Sequence, residues 1–233
     1  MKTFFYKNET IIALGLIIIY LVTNSYCLNN FGLVDIRTLI INGVLSLLIV
    51  LVIILNKLGE YFGLTNIPKT KKYLCFIPLV ILMIVNLIGG INIQNTASEI
   101  VIYMLSMVLI GFLEEIIFRG FLFQMMAKDS IKAAVIVPSI TFGIGHIINL
   151  LNGAELVPTL LQICYAVATG YLFAVILVKS KSLWPQIITH SVVNALSIFN
   201  TENIVTTYIS TVILIIVPLI YAAYLNKKIE NNK

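Results

Sequence analysis

Two adjacent glutamates, Glu114 and Glu115, stand in the middle of an apolar run, after Leu109-Ile110-Gly111-Phe112-Leu113 and before Ile116-Ile117-Phe118-Arg119. A charged side chain near the centre of a bilayer costs at least ~2.5–3.5 kcal/mol. Three in one run therefore need partners or a task. Glu115 and Arg119 are four positions apart, so a helix puts them on one face, where the guanidinium fork can hold a carboxylate. Glu114 points about 100° away around that helix. A buried carboxylate outside the arginine's reach suits proton transfer near neutral pH. The residues thus give Glu115 and Arg119 an orienting role and Glu114 the chemistry. The reverse assignment stays open, because Glu114 can also approach Arg119 along the helix. A plain ion pair would explain Glu115 and Arg119 and leave Glu114 unexplained.

The chain has two histidines, and both lie in apolar runs. His146 ends the stretch Thr141-Phe142-Gly143-Ile144-Gly145-His146, whose glycines let another helix come close. His190 and Asn194 share a helix face, with Gln186 and Ser197 near it. Each group has an ordinary alternative, as a packing residue or as interhelical glue. Each must also find a polar partner in hydrocarbon, and the cheapest partners are one another. All fall in three neighbouring runs, as a converging site requires.

The ordered set is specific. Glu114 to Gly120 reads EExxxRG, Phe142 to His146 reads FxxxH, and His190 to Asn194 reads HxxxN. It resembles the CPBP family, the CAAX proteases and bacteriocin-processing enzymes also called Abi, which includes the type II CAAX prenyl endopeptidases. The resemblance covers residues 98–200. It implies an all-helical intramembrane endopeptidase. In that family pattern Glu114 and His146 activate water, while His190 and Asn194 hold the oxyanion. Glu114, His146 and His190 could alternatively ligate zinc and leave a position for water. The HExxH helix of many zinc proteases is absent, and Asn194 suits an oxyanion donor better than a metal ligand. The reading therefore favours a mechanism without metal or other cofactor.

The elements that must carry these residues are membrane helices. The chain is 60% hydrophobic and 11% charged, far from the balance of a soluble domain. Eight apolar runs are long enough to span: 9–28, 36–56, 73–91, 98–126, 132–150, 157–178, 183–200 and 203–225. The expected fold is all-α and polytopic, with about eight transmembrane helices and the motifs on spans four, five and seven. Residues 1–97 would supply N-terminal helices, 98–200 the catalytic core, and 201–233 a last helix and tail. The first run is too long for a signal peptide and lacks a small-residue cleavage site.

A net charge of +5 raises the question of nucleic acid. The distribution answers it. With a cytoplasmic N-terminus and eight spans, all thirteen lysines fall inside, Arg37 falls outside and Arg119 lies within a span. This positive-inside pattern places both termini in the cytoplasm of a multi-pass cell-membrane protein. Cys27, Cys75 and Cys164 match no metal motif and read as packing residues. The partners expected are the bilayer and a membrane-associated peptide or protein substrate, with no nucleic acid. Two other functions compete. A non-catalytic bacteriocin-immunity or partner-binding protein would need the site only for binding. A proton-coupled transporter would use buried Glu and His as a relay, but the repeated halves of such transporters are not visible here.

Overall fold

The computed structural model describes residues 2–67, 76–201 and 203–230. Cys75, Lys69, Lys71, Lys72, Lys233 and the start of the expected span 73–91 lie outside the described residues. Among the described residues every regular element is helical: α1 (Lys2–Lys7), α2 (Glu9–Asn30), α3 (Ile36–Asn56), α4 (Ile77–Met83), α5 (Ala97–Glu115), α6 (Phe123–Ala127), α7 (Ile131–Gly145), α8 (Ile148–Leu151), α9 (Leu156–Ser180), α10 (Trp184–Leu196) and α11 (Ile204–Glu230). A π-helical stretch, Ile116–Leu122, joins α5 to α6, so that the three form one long rod.

Among the described residues, six helices are long and apolar enough to cross a membrane. They are α2, α3, the α5–π–α6 rod, α7 with α8, α9 and α11. Two of the eight expected spans take another form. The described part of the third is a helix of 7 residues, α4, followed by a 3₁₀ turn. The seventh, α10, has 13 residues, or about 20 Å at 1.5 Å per residue, short of the ~30 Å hydrocarbon core. Apolar length in the sequence overstated it because the α-helix, which starts at Trp184, gives way after Leu196 to a 3₁₀ turn, Ser197–Phe199.

The outward faces of α2, α3 and α11 carry large bare apolar side chains, among them Ile11, Ile18, Leu47, Ile54 and Ile220. Water would penalise such surfaces and lipid tails do not, which makes this a multi-pass membrane protein. The rod and α9 are the most enclosed spans. α9 packs against both α7 and α11, and α5 packs against α3 and α10. Thr96 starts α5 with a reciprocal capping box to Glu99, and Ser130 caps α7 through Ala133 N.

The segment after α3, residues 57–67, packs into the protein. Leu58 and Phe62 are fully buried, and Leu183 N donates to Gly63 O at 3.1 Å. Trp184 Nε1 donates to Leu64 O at 2.8 Å, and Asn66 Nδ2 reaches Ser180 O and Lys181 O. This segment pins the α9–α10 turn and so the start of the helix bearing His190. Trp184→Phe should cost about 0.5–1.5 kcal/mol, the worth of one hydrogen bond, and speed proteolytic cutting within residues 57–67. Unchanged cutting rates would argue that the tryptophan contributes only its ring.

Candidate active site

The site forms where four elements meet. The rod carries Glu114, Glu115 and Arg119. Its π stretch begins directly after the two glutamates, and such wide turns recur at functional sites. α10 supplies His190 and Asn194, the C-terminal end of α7 supplies His146, and α2 supplies Tyr20.

Close approach of α10 to the rod requires a missing side chain. A Cβ on Gly111 would lie 2.9 Å from both N and Cα of Ser191, the residue after His190. On the other side, a Cβ on Gly143 would lie 2.9 Å from Ile163 O on α9. Gly170 opens room for the guanidinium, since a Cβ there would stand 2.8 Å from Arg119 Nη2. Gly143, a packing position in the sequence, thus has a defined neighbour in α9.

Arg119 is wholly buried. Its Nη1 donates to Glu115 Oε1 at 3.1 Å, and its guanidinium lies 4.6 Å from the centroid of the Phe142 ring. The contact is single rather than the bidentate fork. Glu115 Oε2 and Arg119 Nε and Nη2 have no hydrogen-bond partner in the protein.

His190 stands between the two glutamates. Its Nδ1 is 2.8 Å from Glu115 Oε1 and its Nε2 is 3.2 Å from Glu114 Oε2. A neutral imidazole can donate from one nitrogen and an imidazolium from both. With His190 doubly protonated, two carboxylates face two cations and the cluster sums to zero. That neutrality resolves the energetic problem of three charges in one apolar run.

Glu114 is not the unpartnered carboxylate expected from the sequence. It lies away from Arg119, yet Tyr20 Oη donates to its Oε1 at 2.7 Å and His190 approaches its Oε2. Tyr20 was missed because its partner lies 94 positions away. The visible signal was a phenol, Tyr20, directly after the apolar stretch Leu16-Ile17-Ile18-Ile19 of α2. His146 is half-buried, and its ring sits edge-on to Phe142 with centroids 5.2 Å apart. Phe142 also packs edgewise on His190, at 5.6 Å.

A single cavity of about 450 Å³ is lined by Glu114, His146, His190 and Asn194 together, with Tyr20, Tyr103 and Ser197. Glu115 and Arg119 are not part of its lining. Gln186 is turned elsewhere, donating to Phe173 O at 2.9 Å. Ser197 Oγ pairs with Tyr103 Oη at 2.7 Å.

Zinc ligation requires a free lone pair on each histidine. Both nitrogens of His190 face carboxylate oxygens, and Glu114 is held by Tyr20. No three His, Cys, Asp or Glu side chains among the described residues are grouped to hold a metal ion. Glu114, His146 and His190 therefore do not fit a zinc site as arranged.

Residues 96–196 match the model of the type II CAAX prenyl endopeptidase Rce1-like family. This segment is similar to the Rce1-like family. The Rce1-like segment starts at Thr96, the cap of α5, and ends at Leu196, the last residue of α10. It contains Glu114, Glu115, Arg119, His146, His190 and Asn194, and it leaves out α2 with Tyr20. No curated protein matches the chain.

Proposed function

We propose that the protein is an intramembrane endopeptidase that hydrolyses a peptide bond of a membrane-associated or lipidated peptide or protein, with Glu114 as the base. The observation that carries this reading is the shared cavity, where Glu114, His146, His190 and Asn194 surround one space. The Rce1-like match of their segment gives the reaction class. In this reading the lysine distribution keeps both termini in the cytoplasm.

Water in the cavity is held by Glu114 and His146. As its oxygen bonds to the scissile carbonyl carbon, a proton passes to Glu114 and the carbonyl electrons move onto oxygen. Protonation of Glu114 loosens its hold on His190. The Nε2–H of His190 then turns to the new oxyanion, beside the Asn194 amide. Donors of this kind are worth ~2.7–4 kcal/mol each. Collapse of the tetrahedral intermediate breaks the C–N bond, and Glu114 returns its proton to the leaving amine. Glu115 and Arg119 stay outside the cavity and fix the ring of His190 from behind.

The test uses the full chain in lipid vesicles, with a peptide ending in a prenylated cysteine plus three residues and its unlipidated twin. Wild type should cut at least one, and Glu114→Gln neither. Equal cutting by the variant would remove Glu114 from the mechanism. A second expectation concerns alignment. Gly111→Ala pushes α10 off the rod, costs about 1–3 kcal/mol in overpacking, and lowers turnover about a hundredfold by displacing His190. A variant with normal turnover would show that the crossing tolerates a methyl group.

A further inference from the structure

We infer that Tyr20, on a helix outside the Rce1-like segment, is a positioning residue that aims the carboxylate of Glu114; the inference rests on the reading of Glu114 as the base. Within the Rce1-like segment Glu114 has one partner, His190 at Oε2. Arg119 is committed to Glu115. The donor to Oε1 comes from α2, at 2.7 Å.

The placement is built in. Ala13, Ile17, Tyr20 and Cys27 form the buried stripe of α2, and α2 lies against the π stretch that follows the glutamates. Tyr20 is only 2% exposed, so its hydroxyl must be satisfied inside the protein. Asn24, one turn on, approaches Tyr20 Oη with its Nδ2 at 3.5 Å. That contact is long, but it lies on the side of the oxygen that accepts, which leaves the O–H for Glu114.

The last torsion of a glutamate is broad. Held only at Oε2, the carboxylate could turn and present either oxygen to His190. Held at both, each oxygen has one fixed donor and keeps a free lone pair. The plane of the base is then set before substrate arrives, which is where orientation contributes to rate. The family segment alone therefore does not make a complete site.

The experiment compares full-length wild type, Tyr20→Phe, Tyr26→Phe and Glu114→Gln in vesicles, with the peptide pair above, and records kcat, KM and the melting temperature. Tyr26 is exposed on the same helix and is the control. Tyr20→Phe should lower kcat on the order of tenfold to a hundredfold, as loss of one hydrogen bond to a charged group implies. Its KM should stay within about twofold and its melting temperature should hold. Placing p-aminophenylalanine at position 20 restores a donor and should recover most of kcat, which also serves if the Phe variant folds poorly. Wild-type kcat in Tyr20→Phe, with Glu114→Gln inactive, overturns the inference and spares the peptidase reading. A raised KM at constant kcat also overturns it, since the hydroxyl would then be meeting substrate. A loss of kcat matched by loss of folded protein, without rescue by the amine, overturns it as a purely structural effect. Activity of Glu114→Gln equal to wild type ends both readings.

Discussion

Glu114→Gln is expected to slow peptide cleavage by on the order of a hundredfold to ten-thousandfold, the range of a lost general base, while leaving the fold intact. The fold survives because of the charge arithmetic of the cluster. The amide keeps an oxygen to accept from Tyr20. Its NH₂ faces His190 Nε2, which can accept once that nitrogen carries no proton. His190 then donates only from Nδ1 to Glu115, whose distance is 2.8 Å. Glu115 and Arg119 still cancel, so the variant cluster is neutral, like the wild type. Cleavage rate and melting temperature should therefore separate, with activity gone and the melt near that of the wild type. A melt that falls with activity would mean that Glu114 is chiefly a structural anion.

Arg119→Leu should show the opposite pattern and cost about 3–5 kcal/mol, because it leaves the buried cluster one negative charge in excess, two carboxylates against His190 alone. Arg119 and Glu115 are both 0% exposed, so no solvent reaches the excess charge. The site also loses the guanidinium packed over Phe142, a ring that touches both histidines. Against a usual stability of roughly 5–15 kcal/mol, this is a large fraction. Adding Glu115→Gln removes the excess charge and should recover a substantial part of the loss. Denaturation in mixed micelles measures wild type and both variants. A single variant as stable as wild type would show that water or lipid headgroups reach Glu115.

The sequence made some of this legible because the relevant distances were short along the chain. Glu115 and Arg119 meet across one turn, and that contact follows from spacing. Membrane character followed from the apolar runs, and the Rce1-like match from the spacing within three motifs. The partners of Glu114 were hidden for a different reason. Tyr20 and His190 arrive from α2 and α10, and no periodicity in one helix reports on another. The two short helices were hidden because length in sequence does not reveal where a run leaves the α-helix for a 3₁₀ turn. His190 read as one member of a polar stripe, yet it bridges both glutamates, an arrangement that depends on how closely Gly111 admits α10.

The π stretch at Ile116–Leu122 has a consequence for counting. A π turn holds one more residue than an α turn, so α5 and α6 run on offset phases within a single rod. Extending the α5 pattern past Glu115 misplaces everything beyond Leu122 by one residue, about 100° of azimuth. Lys128, which meets Glu9 Oε2 at 2.5 Å, owes its bearing to that offset. Deleting one residue from this stretch would act as a twist rather than a shortening, and would turn the far end of the rod away from α2.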